Sequence, residues 1–241
     1  QRQSYMECVI CHRIISGSYL MDKWGKTICQ SHYPSEASLC ASCERFTLQN
    51  VVIPDGRCFC NKCQSFLVSS NDSIDFAKDK VIQLLNQQGF SDLRQEDIQI
   101  IISTADEIAQ YRNQPTDLLV KGLTLSSKIW PLGTSKHTIY MLTHQSRIEF
   151  AGTLAHEMLH AWQVQNDIYM DSMRTEGFCN LGSWLMLQTI NHPLARHLEE
   201  QLFENPDPIY GNGFRMMYKA FQKHGIIDLC KYISIKYKKQ N

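Results

Sequence analysis

Three residues in the middle of the chain have the types and the spacing of a catalytic zinc site. His156 and His160 are four positions apart, so on a helix both imidazoles lie on one face and can reach one Zn²⁺ at about 2.0 to 2.1 Å. Glu157 lies beside them, where its carboxylate can take a proton from a zinc-bound water and pass it to a leaving amine. Zinc lowers the pKa of that water and polarises the scissile carbonyl. We therefore expect a zinc-dependent peptidase with Glu157 as the general base.

A catalytic zinc needs a third protein ligand, and Glu176 is the first candidate. It opens the next predicted helix, and the loop before it lets that helix return beside the first. The alternatives are Asp171, His192 and His197. Asp171 falls in the connecting loop and His192 at the far end of the second helix, so both are worse placed.

The same motif also arises by chance, because histidines on helix surfaces are common. Here it falls within a predicted helix, beside an apolar stripe and ahead of a second helix that begins with a carboxylate. That is the context a catalytic motif requires. We favour an enzyme, and the alternative is a non-catalytic scaffold that binds proteins through the Cys-rich part of the chain.

Peptide hydrolysis also needs a side chain that stabilises the intermediate and a surface that holds the substrate, and the sequence offers candidates for both. An electrophilic side chain should stabilise the tetrahedral intermediate, and four residues are candidates: Tyr169, His192, His197 and Tyr210. A substrate can also be held as an added strand at an exposed sheet edge. The stretch His137–Leu142 is the candidate for that edge, and the alternative is an ordinary core strand.

The cysteines predict two further zinc sites. Eight of the ten lie before residue 64. Most of them form pairs with two residues between the two ligands, a spacing that favours tetrahedral zinc over disulfides. The first predicted set is Cys8, Cys11, Cys29 and His32, and the second is Cys40, Cys43, Cys60 and Cys63. Each set is closed to water, so both zinc ions should be structural and should supply folding free energy. The cofactors expected are thus one catalytic and two structural Zn²⁺.

Three cysteines remain outside these sets. Cys58 could replace Cys60 in a shifted register, although Cys60 matches the other pairs better. Cys179 and Cys230 lie within apolar helical patterns, which indicates buried small residues rather than reactive thiols.

The elements that must position these residues follow from hydrophobic periodicity. Helical spacing is found from Ile74 to Leu85, from Ile98 to Ala109, over Arg147–Gln165, from Glu176 to about Ile190 and from Phe214 to Tyr232. Strand-like stretches are Lys121–Leu125 and His137–Leu142. The residues before about 66 are rich in turns and read as hairpins held by metal.

These elements predict an α+β protein with two domains. Residues 1–68 form a small double-zinc module, and residues 69–241 form a mainly helical metallopeptidase domain of the zincin type with a small β-sheet. The stretch Ser69–Ser73 is the predicted linker. Its short length motivates the hypothesis that the module covers the cleft and inhibits the enzyme.

Charge and hydropathy exclude several classes of protein. Lys plus Arg equals Asp plus Glu at 24 each, so no overall field draws the chain to nucleic acid or an anionic membrane. We find no unbroken apolar stretch of about 18 residues and no secretory h-region. With reduced, zinc-binding cysteines, this predicts a cytoplasmic protein.

Four short tracts together carry a resemblance to a known family. They are Cys40-Ala41-Ser42-Cys43-Glu44-Arg45, Asp55-Gly56-Arg57, Ala155-His156-Glu157-Met158-Leu159-His160-Ala161-Trp162 and Glu176-Gly177. Over most of its length the chain resembles the DA-one family of LIM-domain zinc peptidases, most specifically around His156. The resemblance implies a gluzincin, with His156, His160 and Glu176 as zinc ligands and Glu157 as base. It also implies limited cleavage of protein substrates.

The chain departs from the family pattern in two respects. An ordinary LIM domain has His before Cys in its third pair and two residues between its halves, whereas here Cys29 precedes His32 and residues 33–39 intervene. The module is therefore LIM-like. Plant members also carry ubiquitin-interacting motifs that this chain lacks, so the resemblance leaves open whether ubiquitin is a partner. The expected partners are a protein or peptide substrate and a protein that docks on the LIM-like module, unless the module only buttresses the second domain.

Overall fold

The computed structural model describes residues 5–49, 52–69, 71–129 and 134–239 of the 241-residue chain. It divides into two compact units, Gln1–Leu67 and Val68–Asn241. Both units contain strands and the second contains the long helices, so the α+β class is confirmed. Within the described residues, no helix combines the length and the apolarity needed to cross a membrane.

The first unit consists of two antiparallel hairpins and a short helix. Strand β1 (Tyr19–Met21) pairs with β2 (Thr27–Cys29), and β3 (Ala37–Leu39) pairs with β4 (Phe46–Leu48). Helix α1 (Asn61–Gln64) follows. Strands of three residues bury little apolar surface, and the core around Cys8, Ile28 and Ala37 is small. A unit of this size needs a further source of stability, which bound metal can supply.

A buried aspartate ties the two hairpins of this unit together. Asp22 is 6% exposed, and its Oδ1 accepts from the backbone N–H groups of Trp24 and Lys26, each at 2.9 Å. Its Oδ2 accepts from the backbone N–H of Phe46 at 3.1 Å. The Trp24 indole also donates to the carbonyl of Cys43 at 2.6 Å. The turn of the first hairpin therefore fixes the backbone that carries the second set of cysteines.

The second unit is built on a three-stranded sheet with the order β6-β8-β7. Its strands are β6 (Ile98–Ser103), β7 (Gly122–Ile129) and β8 (Thr134–Leu142). The central strand, β8, pairs parallel with β6 and antiparallel with β7. Two further strands are short: β5 (Leu67–Val68), which begins at the last residue of the first unit, and β9 (Gln145–Ser146).

The structure decides one alternative left open for this sheet and shows that one prediction is wrong. His137–Leu142 is not an exposed edge, because it lies in the central strand with a neighbour on each side. The stretch from Ile98 to Ala109 is not one helix: it forms β6 and then α3 (Ala105–Arg112), which Thr104 and Glu107 begin with a reciprocal capping box. β-Branched side chains such as isoleucine fit a pleated strand better than a helix, so the run of isoleucines follows its β preference.

The other helices agree more closely with the predicted pattern. Their bounds are α2 (Asn71–Gln87), α4 (Arg147–Gln165), α5 (Ser172–Gln188), α6 (Pro193–Glu204) and α7 (Tyr210–Tyr237). Helix α4 has the predicted ends, α6 was not predicted, and α7 is interrupted at Gly225. Helix α2 begins inside the predicted linker Ser69–Ser73, of which Ser70 lies outside the described residues.

Helices α5 and α7 touch backbone to backbone at two glycines. A Cβ added to Gly177 would lie 2.2 Å from the carbonyl oxygen of Gly213, and a Cβ added to Gly213 would lie 2.3 Å from that of Met173. Only a residue without a side chain fits such an approach. The contact brings the start of α7, at Tyr210, beside the turn of α5 that carries Glu176.

We expect Gly177→Ala to destabilise the protein by about 2 to 3 kcal/mol, because the clash is with backbone that cannot move aside. Gly152→Ala is the matched control, since its Cβ would lie at an ordinary contact distance of 3.7 Å from Leu187 Cδ2. That variant should stay within about 1 kcal/mol of the wild type. Urea unfolding of the zinc-loaded chain measures both. Equal effects of the two substitutions would contradict the close approach.

Candidate metal centres

Both predicted cysteine sets come together in the first unit. In each set, one donor atom per residue lies within 4.8 Å of every other: Cys8, Cys11, Cys29 and His32 in one, Cys40, Cys43, Cys60 and Cys63 in the other. All ten cysteines, which the described residues include, have free thiols. Four sulfur or imidazole donors converging on one point are the ligand set of a structural zinc site, and both sets are compatible with one.

Backbone amides prepare these sulfurs for metal binding. The N–H of Cys29 donates to Cys8 Sγ at 3.4 Å, and the N–H of Cys60 donates to Cys40 Sγ at 3.3 Å. Burial raises the pKa of the Cys8 thiol, but amide donors including Cys11 and Cys29 outweigh it and lower the pKa to about 6. Hydrogen bonds from the thiols of Cys43 and Cys63 hold the pKa of Cys40 far below its usual range. One cysteine in each set thus favours the thiolate, which is the form that binds zinc, while its neighbours Cys29 and Cys43 have pKa values raised by burial and by the adjacent thiols.

Cys58 is not part of the second set. Its side chain is buried, and its thiol donates to the carbonyl of Leu48 at 3.7 Å. Cys60 occupies the ligand position instead, so the register that matches the other pairs is the one adopted.

We expect Cys60→Ser to lower the zinc content from about three ions per chain to about two, because the second set loses a thiolate ligand. Cys58→Ser should keep the full content, since only a hydrogen bond within the core changes. Elemental analysis of the two purified variants measures the difference. Loss of zinc from Cys58→Ser but not from Cys60→Ser would reverse the assignment.

The second unit brings His156, His160 and Glu176 together between α4 and α5. The two Nε2 atoms of the histidines are 3.1 Å apart, and Glu176 Oε2 lies 3.1 Å from His156 Nε2 and 3.4 Å from His160 Nε2. Ligands at about 2.0 to 2.1 Å from a tetrahedral zinc are about 3.3 Å from one another. The three atoms therefore match one face of a zinc tetrahedron and leave the fourth corner to water or substrate.

This third group is partly open to solvent. The side chains of His156, His160 and Glu176 are 12%, 21% and 19% exposed. Burial would raise the pKa of Glu176, but hydrogen bonds from the two histidines hold it far below its usual range. The carboxylate is thus ionised and accessible, as a ligand in an open site should be.

The rival third ligands have other roles. Asp171 caps the N-terminus of α5, where its carboxylate accepts from the backbone N–H of Arg174. His192 caps α6 in the same way through Leu194. His197 is buried against Gln201, 3.3 Å away. Among the described residues, none of the three belongs to the donor group around His156.

Asn180 orients one histidine and was missed by the sequence reasoning. Its Oδ1 lies 2.9 Å from His156 Nδ1, so a proton on Nδ1 leaves the lone pair of Nε2 for a metal. Its amide nitrogen donates to the carbonyl of Tyr210 at 3.2 Å. Asn180 is four residues after Glu176, on the same face of α5, and that spacing was a signal that could have found it.

Cys179 lies closer to the site than the sequence suggested. It is fully buried, as expected, but its Sγ is within 4.8 Å of a ring nitrogen of both His156 and His160. The side-chain amide of Gln163 donates to this sulfur at 3.0 Å. The thiol is therefore a neighbour of the zinc ligands as well as a core residue.

Of the four candidates for transition-state stabilisation, Tyr210 is the one beside the site. Burial raises the pKa of its hydroxyl, and the negative charge of Glu176 raises it further, so the group stays protonated. Tyr169 and Tyr210 are similarly exposed, at 50% and 45%, and the ammonium of Lys128 lies 5.7 Å from the centre of the Tyr169 ring. His192 and His197 are engaged in α6 as described.

Comparisons with known proteins do not assign the chain to a family. No family model, no curated protein and no solved structure matches it.

Proposed function

We propose that the protein is a zinc-dependent endopeptidase that makes limited cleavages in protein substrates. The observation that carries the proposal is the triangle of His156 Nε2, His160 Nε2 and Glu176 Oε2, with sides of 3.1 to 3.4 Å. A triangle of this size, partly open to solvent and next to a buried glutamate, suits a catalytic zinc rather than a structural one. The resemblance to the DA-one family supports the same conclusion and a zincin-type fold for the second unit.

The chain's own residues divide the chemistry among them. His156, His160 and Glu176 would hold the metal, which supplies Lewis acidity and an acidified water when bound. Glu157 accepts a proton from the attacking water at its carboxylate and delivers it to the leaving nitrogen. The Tyr210 hydroxyl donates a hydrogen bond to the oxygen that becomes negative as the carbonyl is attacked.

The substrate backbone is expected to add to the edge of β7. Among the described residues β7 has β8 on one side only, and Gly122 and Thr124 of β7 touch Glu157. An extended peptide that pairs with this edge passes beside the general base. The edge of β7 takes the role first expected of His137–Leu142.

The first unit is proposed as a LIM-like module that binds a protein partner or substrate. Its two metal sets make a rigid platform, and several large apolar side chains on it are exposed, among them Met21 and Phe66. Because its zinc ligands must stay reduced, we propose a reducing compartment, the cytoplasm. No charge pattern supports a nucleic-acid partner.

Removing the helix histidines tests the catalytic metal. His156→Ala combined with His160→Ala should lower the zinc content from about three ions to about two and abolish cleavage of an unfolded protein. Glu157→Gln, which keeps the shape of the base, should keep all the zinc and lose cleavage by at least about 100-fold. Elemental analysis and a cleavage assay on the same preparations measure both. Unchanged zinc in the double variant, or wild-type cleavage by Glu157→Gln, would refute the peptidase; a wild type that binds three ions without cleaving would favour the scaffold.

The role of Tyr210 is tested by removing its hydroxyl alone. Tyr210→Phe should lower kcat by about 100-fold, because one donor to the developing oxyanion is lost. KM and zinc content should stay the same. Tyr169→Phe is the matched control, since the ring of Tyr169 contacts the ammonium of Lys128, and it should behave as the wild type. The opposite pattern would assign the role to Tyr169.

A further inference from the structure

The carboxylate of Glu157 is held by a residue on the neighbouring strand. Glu157 is 5% exposed, and its Oε2 accepts a hydrogen bond from the Thr124 hydroxyl at 2.7 Å. The carbonyl of Glu157 lies farther from the same hydroxyl, at 3.1 Å. The proton of Thr124 therefore belongs mainly to the carboxylate. Oε1 accepts no hydrogen bond from the described residues, so one oxygen is fixed and the other is available.

Gly122 provides the space in which that carboxylate lies. A Cβ added to Gly122 would be 2.7 Å from Glu157 Oε1 and 2.8 Å from its Cγ. Real Cβ atoms do not approach other atoms so closely, so any side chain here would displace the base. The backbone of Gly122 is not in the left-handed region, which means that conformation does not require a glycine. The requirement comes from Glu157 and from Thr153, whose Cγ2 would lie 2.9 Å from the same Cβ.

The register of the sheet places both residues under the helix. Gly122 pairs with Met141 and Thr124 pairs with Ile139, and the two partners are fully buried in the core that includes α4. Alternate residues of a strand face the same side. Gly122 and Thr124 thus share the face that α4 covers, at the level of Glu157, and the buried partners keep β7 from slipping.

We propose that Thr124 is a positioning residue for the general base, with Gly122 as the space that lets it act. The Thr124 hydroxyl holds Oε2 of Glu157 in one orientation, which leaves Oε1 to accept the proton from the attacking water. Thr124 lies on the strand whose edge is expected to bind the peptide, so the orientation of the base and the position of the substrate depend on the same strand. This inference rests on the proposed peptidase activity.

Two substitutions separate positioning from packing. Thr124→Val keeps the branched shape but removes the donor, and Thr124→Ser keeps the donor but removes a methyl group. If Thr124 positions the base, Val should lower kcat by about 10- to 100-fold, the usual value of a hydrogen bond to a charged group, while Ser should stay within about threefold. KM and the zinc content should not change in either variant. A merely structural role would make Ser the more damaging change.

Thr138→Val on β8 is the matched control. It removes a threonine hydroxyl from the same sheet, on the face opposite to α4, because residue 138 alternates with the buried His137 and Ile139. Its kcat should equal that of the wild type. Gly122→Ala should lower kcat like Thr124→Val, since its Cβ pushes the carboxylate out of place.

A second measurement does not depend on turnover. In crystals of the zinc-loaded protein, Glu157 should stay within hydrogen-bonding distance of residue 124 in Thr124→Ser and should leave β7 in Thr124→Val. If Glu157→Gln is inactive but Thr124→Val cleaves like the wild type, the positioning role is overturned and the peptidase remains. If the wild type does not cleave, both proposals fall together.

Discussion

The second unit depends on the convergence of three donor atoms at one point. Two imidazole nitrogens and a carboxylate oxygen lie within 3.4 Å of one another, and they come from two separate helices. The spacing of His156 and His160 is a property of α4 alone, whereas the approach of Glu176 depends on how α5 packs against it. The glycine contact between α5 and α7 fixes that packing from behind. A cation bound at this point would link the two helices.

The same core also decides which residues surround the metal ligands. Asn180 and Cys179 share a helix with Glu176, so the packing that delivers the carboxylate also delivers an amide to His156 and a buried sulfur to the pair of histidines. Tyr210 lies beside these residues because it begins α7, close to the glycine contact with α5. Strand β7 adds Thr124 and the space above Gly122. One arrangement of three helices and an edge strand therefore brings together the proposed ligands, the proposed base, the groups that orient them and the proposed substrate edge.

In the first unit, sets of potential metal ligands contribute to the stability of the fold. Its strands are too short to bury a large core, so the two closed sets of donors take the place of apolar packing. The buried carboxylate of Asp22 joins the two halves through three backbone amides. These hydrogen bonds connect the hairpin that carries part of the first donor set to the backbone near the second. A rigid surface follows, which suits a module that binds other proteins.

Local patterns were sufficient for the parts of the fold that depend on near neighbours. The ends of α4 follow from its apolar stripe and from the serine that caps it. Both cysteine sets follow from pairs of ligands that have two residues between them. The pattern failed from Ile98 to Ala109, where apolar spacing typical of a helix was given more weight than the β preference of the isoleucines. It left the position of His137–Leu142 open, because a sequence does not say which strand lies in the middle of a sheet.

The sequence by itself determined the donor types, the spacing of His156 and His160, and the division between a metal-rich part and a helical part. Each of these is set within one turn or one hairpin, where covalent connection leaves few alternatives. Only the tertiary structure decided that Glu176 rather than Asp171 faces the histidines, and that Thr124 rather than a solvent molecule holds Glu157. Those contacts join elements far apart in the chain, and they are selected by the packing of buried side chains and glycines over the whole unit.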